Sequence, residues 1–138
     1  MEMEEFDHTN REYRRLFRRP VTDDGARLAA VAGREVVGSV RIARIGPPVH
    51  RHVAYLTMAV AATWRRRGIG AALLNEALWW ARSAGLEKVI LNVYASNSAA
   101  IGLYRRFGFA EEGRLRGHAK KSHGYEDEIM MARWLMGA

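Results

Sequence analysis

The sequence predicts a single α/β domain built on a mixed sheet, with an antiparallel hairpin first, a βαβ unit at its centre and a second strand pair last. Three observations carry this. Residues 26–32 and 35–45 are strand-like runs separated only by Gly33-Arg34, the spacing of a tight hairpin. A strand, a helix and a second strand follow across residues 53–93, and a crossover of that kind makes its two strands parallel and adjacent. Residues 109–116 and 125–134 then read as two closing strands around a polar loop at 117–124. At 138 residues, and with no repeat, linker or low-complexity segment, the whole of 1–138 is read as one domain with a real core.

Taken in order, residues 10–19 read as a charged helix capped by Thr9 or Asn10 and stopped by Pro20, with Tyr13, Leu16 and Phe17 as a narrow apolar stripe. Residues 22–25 are a turn. In the second arm of the hairpin Val37, Ser39 and Arg41 alternate against Val36, Gly38, Val40 and Ile42, as in a half-buried strand. Gly46, Pro47 and Pro48 break the pattern and open a loop that carries His50, Arg51 and His52. Residues 53–61 are apolar almost throughout, which suits a central strand. From Gly70 the period changes: Leu73, Leu74, Ala77, Leu78 and Ala81 mark one helical face, and Gly85 fits the position just past the helix end. Residues 88–93 form the next strand. Asn97 or Ser98 caps a helix over 99–106 that ends at Gly108.

Composition narrows the class. Hydrophobic content of 49% and charged content of 27% are ordinary for a globular protein, and no apolar run reaches the roughly 18 residues of a membrane span. The acidic start, Met1-Glu2-Met3-Glu4-Glu5, is unlike a secretory leader, so a cytoplasmic location is expected. Without cysteine there is no disulfide, no thiolate metal site and no thiol nucleophile. The net charge of +7 does not signal a dedicated nucleic-acid binder: 19 of the 22 basic residues are arginine, spread from Arg11 to Arg133 without interleaved aromatics. It favours a polyanionic small ligand instead.

The informative stretch is 58–73, M-A-V-A-A-T-W-R-R-R-G-I-G-A-A-L. Glycines between a strand and a helix let the backbone turn sharply and approach a ligand, and the helix start offers free amides and a positive dipole end to an anion. This is the local chemistry of a phosphate or pyrophosphate cradle. A Walker loop is excluded by the spacing and the missing lysine. A dinucleotide fingerprint is excluded because Leu73 stands where its third glycine belongs, and because Glu87 precedes the next strand where an acidic residue should end it.

A third option rests on a resemblance. Arg65-Arg66-Arg67-Gly68-Ile69-Gly70 matches the Gln/Arg-x-x-Gly-x-Gly/Ala motif of the GNAT N-acetyltransferase superfamily. Asn97, Ala100, Tyr104, Gly108 and Phe109 occupy every fixed position of that superfamily's N-x-x-A-x-x-x-Y-x-x-x-G-F segment. One helix and one strand separate the motifs, as they should, and the resemblance covers roughly residues 26–135. The closing segment looks like the subgroup acting on amino-acid or peptide α-amines.

The resemblance implies acetyl-coenzyme A as co-substrate and no metal; His50-x-His52 alone offers too few ligands for a metal site. It implies that backbone amides of Arg65, Arg66, Arg67, Gly68, Ile69, Gly70 and Ala71 wrap the pyrophosphate, and that a Cβ at Gly68 or Gly70 would crowd it. One of the arginines could also meet the 3′-phosphate, or all could be solvated. Met58, Ala59 and Val60 correspond to the strand whose splayed edge pairs with the pantetheine amides. Asn97 either contacts the pantetheine arm or is a structural helix cap. Tyr104 corresponds to the general acid that protonates the leaving thiolate; its other reading is a core tyrosine beside Ile101, Leu103 and Phe107. Many relatives place a glutamate base on the strand before the glycine loop, but residues 52–57 hold no carboxylate. His52 is the named candidate, with Tyr55, or a water relay to Glu112, Glu126 or Asp127, as alternatives.

The function implied is direct acetyl transfer, without a covalent enzyme intermediate, to a primary amine of a small molecule such as an amino acid. A peptide or protein N-terminus is the alternative acceptor, and a catalytically weak coenzyme A-binding regulatory module the alternative class. The basic residues His118, Lys120, Lys121 and His123 in the 117–124 loop would suit an acceptor carrying a carboxylate, or be merely solvated. Relatives begin with an edge strand and a helix before anything like residues 10–19, and this chain has no room for both. Either that strand is absent, which would leave the 26–32 strand with an unpaired edge through which a homodimer could form, or the real start lies upstream of Met1.

Overall fold

The computed structural model describes residues 4–7, 15–18, 24–66 and 68–135. Its eight strands are β1 (Glu4–Asp7), β2 (Arg15–Arg18), β3 (Gly25–Ala32), β4 (Glu35–Arg44), β5 (Val53–Val60), β6 (Lys88–Tyr94), β7 (Ala110–Lys121) and β8 (Gly124–Trp134). They form one sheet in the order β1-β2-β3-β4-β5-β6-β8-β7. Every neighbouring pair is antiparallel except β5 and β6. Helix α1 (Ile69–Ser83) makes the crossover between those two, and α2 (Ser98–Arg106) joins β6 to β7.

The hairpin, the βαβ unit and the closing strand pair therefore stand where the sequence puts them. Gly33 makes the β3–β4 turn at φ 61°, and Gly85 lies just past the end of α1 at φ 77°, both in the left-handed region that glycine enters freely. Alternation along β4 and β5 sends Val40, Ile42, Ala54 and Leu56 into the core. At the start of β4 the expected phase is reversed, with Val37 buried and Val36 exposed, because the register shifts there from Ala30↔Gly38 to Val31↔Val36 and skips Val37. Over these strands α1 buries Ile69, Leu73, Leu74, Ala77, Leu78 and Ala81. What lets the helix sit so low is Gly38 of β4. A Cβ there would lie 2.9 Å from Ile69 Cγ2 and 3.1 Å from Leu73 Cδ1.

Two expectations are corrected. The charged helix over 10–19 is not formed at 15–18, which are strand β2; residues 9–14 lie outside the described residues. The register Leu16↔Ala30 and Phe17↔Ala29 shows why. As a strand, this segment gives the free edge of β3 the backbone partners that a helix cannot, and three apolar residues are too few to tell the two periods apart. That edge is occupied within the chain, β1 pairs outside β2, and dimerisation through β3 loses its basis. The second correction concerns 117–124. β7 runs on to Lys121, leaving only a tight turn before β8. Asp127 makes this possible by accepting the Gly117 N–H at 2.7 Å across the irregularity between Leu115 and Ala119.

Candidate active site

The site begins with a break in the sheet. β5 and β6 are paired only at Val53↔Lys88, Ala54↔Val89 and Tyr55↔Ile90. β5 continues to Val60 against β4, and β6 continues to Tyr94 against β8, so the two strands part toward their C-terminal ends. Open parallel sheets bind ligands at that end of their strands. Met58, Ala59 and Val60 line the β5 side of the gap, with backbone groups unpaired toward β6.

The glycine loop leaves the top of β5. Ala62–Trp64 is a single 3-10 turn, and Arg65 turns back so that its Nε donates to the Val60 carbonyl at 3.2 Å. Arg66 takes φ 64° and Gly68 φ 85° before α1 begins. A left-handed arginine costs about 1–2 kcal/mol, the kind of strain that gathers at ligand sites. No side chain caps the start of α1, so its first amides have no partner from a capping residue. Arg67 lies outside the described residues. Gly70 also has a packing role. A Cβ there would meet Leu103 Cδ2 at 3.1 Å and Met58 Cε at 3.5 Å, so this glycine sets how closely α2 approaches the start of α1.

Helix α2 brings the second motif to the same place. Asn97 is its N-cap, with Oδ1 accepting the Ala100 N–H at 3.2 Å; this is the structural one of its two expected roles. At the other end Arg133 of β8 donates to the Phe107 carbonyl at 2.7 Å and ties the helix to the sheet. Tyr104 is 6% exposed, edge-to-face with Phe109 at 5.8 Å, and its burial pushes the hydroxyl above the ordinary tyrosine range. Core packing and a polar hydroxyl held in a dry place thus coexist at this residue.

The base candidates fare differently. His52 precedes β5, and its carbonyl accepts the N–H groups of Glu87 and Lys88 at 2.9 and 3.1 Å, at the start of β6. It stands at the closed end of the strand pair, three residues before Tyr55, the last β5 residue paired to β6, or about 10 Å along the strand at about 3.3 Å per residue. His52 thus lies at the end of the strand pair away from the opening. Three carboxylates are engaged elsewhere: Glu112 with Lys88 at 2.9 Å, Glu126 with Lys121 at 2.5 Å, and Asp127 with Arg114 at 2.7 Å. Lys121 also lies 4.0 Å from the ring of Tyr94 on β6 and Lys120 5.7 Å from that of Tyr125 on β8, so both lysines of this segment are engaged.

Two residues that sequence reasoning passed over stand beside the gap. The cross-strand pairs Asn92↔Met130 and Tyr94↔Glu128 put Asn92 and Glu128 on the sheet face opposite the one that Leu91, Val93, Ile129 and Met131 turn to the core. Tyr55 shares that face. Its hydroxyl is raised above the ordinary range first by burial and then by the negative charge of Glu128, against the lowering effect of the Asn92 backbone N–H. Asn92 Oδ1 is buried and without a hydrogen-bond partner among the described residues.

Residues 1–109 match the Acetyltransferase (GNAT) family, four-fifths of the chain and both of its motifs. The chain belongs to the GNAT acetyltransferase family. Among its relatives is the L-amino acid N-acetyltransferase AaaT of Escherichia coli, 32% identical over 110 residues that cover 77% of this chain and 66% of the relative. A ribosomal-protein alanine N-acetyltransferase of Salmonella typhimurium is 39% identical over 75 residues, covering 54% and 51%. The chain thus spans about half to two-thirds of the length of these relatives. A GNAT acetyltransferase from Streptococcus pneumoniae superposes with a TM-score of 0.78 at 28% identity, over 83% of this chain and 69% of that one. The parted strands, glycine loop and α2 tyrosine are this GNAT chain's own version of the shared fold.

Proposed function

We propose that this chain is an acetyl-coenzyme A-dependent N-acetyltransferase whose acceptor is the primary amine of a small molecule such as an amino acid. The observation that carries it is the early end of the β5–β6 pairing, directly below the uncapped, glycine-bearing start of α1. The residues present fit the co-substrate. Free amides at the start of α1, with the left-handed bends at Arg66 and Gly68, form a concavity of N–H groups suited to a pyrophosphate. The unpaired backbone of Met58, Ala59 and Val60 offers an extended pantetheine arm the partners of a missing strand. Arg65, Arg66 and Arg67 add positive charge around this loop, and Ile69 and Ala71 contribute amides.

Acetyl-coenzyme A supplies a thioester carbonyl and a leaving thiol. Tyr104 then holds the proton that the thiolate takes. At ordinary pKa values of about 10 and 8.5 that transfer is uphill by about 2 kcal/mol, and burial of the phenol widens the gap unless the sulfur is equally desolvated, as it would be beside Tyr104. The hydroxyl is thereby kept protonated at neutral pH, which a general acid requires.

Similarity to AaaT supports an amino acid as acceptor, and similarity to the ribosomal-protein alanine N-acetyltransferase supports a peptide N-terminus as the second reading. A thermal-shift titration with acetyl-coenzyme A, followed by a thiol-release screen over amino acids and short peptides, separates these. Turnover with amino acids upholds the proposal and turnover with peptides alone the second reading. Binding without turnover points to a regulatory module, and absence of binding refutes all three.

A further inference from the structure

Residues 52–57 hold no carboxylate, whereas β8 carries one on the open face of the sheet. We propose that Glu128 of β8, with the Asn92 carboxamide and the Tyr55 hydroxyl beside it, forms the ammonium-binding and proton-accepting subsite for the acceptor amine. The inference rests on the acetyltransferase reading above and deepens it.

Four observations converge. Glu128 is the carboxylate on the open sheet face next to the gap, opposite Tyr94 and one diagonal step from Asn92. Diagonal neighbours in an antiparallel pair lie about 7–8 Å apart at Cα, within reach of a common small ligand. Among the described residues Glu128 has no ion pair or hydrogen bond, whereas Glu112, Glu126 and Asp127 are each tied to a cation. Asn92 Oδ1 is buried and unpartnered, a state that costs about 1–3 kcal/mol and asks for a donor. Finally, Asn92 stands just past Ile90, the last β6 residue paired to β5, at the apex of the gap.

An alkylammonium has three N–H donors and one positive charge. Glu128 matches the charge, and Asn92 Oδ1 matches a donor that none of the described residues provides. The two sides of the opening then divide the work. Tyr104 and the glycine loop belong to the α1–α2 side, and Glu128, Asn92 and Tyr55 to the opposite face. One ammonium proton passes to the Glu128 carboxylate. The nitrogen lone pair so freed forms the C–N bond to the acetyl carbon as the C–S bond breaks, with its electron pair leaving on sulfur. Sulfur takes its proton from Tyr104, the second N–H proton released as the amide forms returns through solvent to the Tyr104 phenolate, and Glu128 gives up the first to solvent, so the net products are amide, thiol and one proton.

The charged and titratable groups facing Glu128 are Tyr55 from β5, Tyr94 from β6, Glu126 on its own strand and Lys121 from β7, the last already paired with Glu126. Two measurements on the full chain test the proposal. In the first, methylammonium chloride is titrated into the labelled protein, with tetramethylammonium, which has no N–H, as control. The Asn92 side-chain amide resonances should shift saturably with methylammonium alone, and Glu128→Gln should weaken that binding about tenfold or more. In the second, Glu128→Gln should lower kcat about 10²-fold or more with an amino-acid acceptor, abolish the acidic limb of the pH–rate profile and leave acetyl-coenzyme A affinity unchanged. Unperturbed Asn92 resonances, or equal shifts with tetramethylammonium, overturn the subsite. A Glu128→Gln enzyme with wild-type kcat and pH limb overturns the proton transfer. If no amine is acetylated, the acetyltransferase reading fails, while the methylammonium titration still decides whether the ammonium subsite exists.

Discussion

Replacing Gly38 with alanine tests whether the seat of α1 is what aims the glycine loop. The added methyl would stand 2.9 Å from Ile69 Cγ2, 3.1 Å from Leu73 Cδ1 and 3.4 Å from the Ala59 carbonyl oxygen. Carbon atoms rest about 3.5–4.0 Å apart, so two contacts are short by half an ångström or more. Leu73 can rotate away, but Ile69 is β-branched and held in one rotamer within the helix, so the first turn of α1 must lift. Overpacking of this kind costs about 1–3 kcal/mol. The alanine returns about 0.4–1 kcal/mol by restricting the unfolded chain. The net is a loss of about 1–2 kcal/mol. With an unfolding entropy of about 0.3 kcal/mol/K for a chain of this length, Tm falls by about 3–7 °C. The turn that lifts carries the amides of Ile69, Gly70 and Ala71, so acetyl-coenzyme A should also bind several-fold more weakly. Calorimetry gives the first quantity and isothermal titration the second. An unchanged or raised Tm with unchanged affinity would show that the helix slides freely over β4, and would refute the idea that Gly38 positions the loop.

Asn92→Leu should raise Tm by a few degrees while acetyl transfer falls, because it removes a buried oxygen that lacks a donor; lower stability would mean that oxygen has a structural partner. Tyr104→Phe should lower kcat and leave the Kd for acetyl-coenzyme A nearly intact, and an unchanged kcat in steady-state assays retires its role as acid. Asn97→Ala should cost about 1 kcal/mol in denaturant unfolding and Asn97→Asp much less, since aspartate also caps; equal losses would return the residue to a ligand role. On the acid side, the Gly117 N–H and then Arg114 hold Asp127 below the usual carboxylate range, as Lys121 and Ser96 do Glu126. Depressed values of this sense stabilise the fold above about pH 4 and lose that contribution as pH falls through the folded-state values. Asp127→Asn should flatten this acid loss, and an unaltered acid melting curve would exclude the group.

The parts of this molecule legible in its sequence are those whose signal is local. The alternation along β4, the period change at Gly70 and the glycine punctuation at 33 and 85 each act within a few residues. The two motifs added the roles expected of the glycine loop and α2. What escaped was set by juxtaposition. Residues 15–18 carry too short an apolar pattern to reveal a strand, and the edge of β3 decides their state. Asp127 turns an apparent loop into the end of β7 by reaching ten residues back. Asn92 and Glu128 lie 36 positions apart and meet only because β8 inserts beside β6. His52 shows a related gap: nearness in sequence to the central strand does not say which end of the strand pair a residue occupies.

An ordinary open sheet has two free borders, but the parting of β5 from β6 gives this one two more, facing each other inside the molecule. Such borders invite foreign strands. These are sheltered on one side by the helices packed against the sheet. The halves of the sheet, β1 to β5 and β6 to β8, are joined through hydrogen bonds over only three residue pairs. A ligand lying between them therefore acts as a stitch: amides at the C-terminal end of β5, in the middle of the sheet, should exchange with solvent like those of an edge until acetyl-coenzyme A is added, and like those of a core strand afterwards.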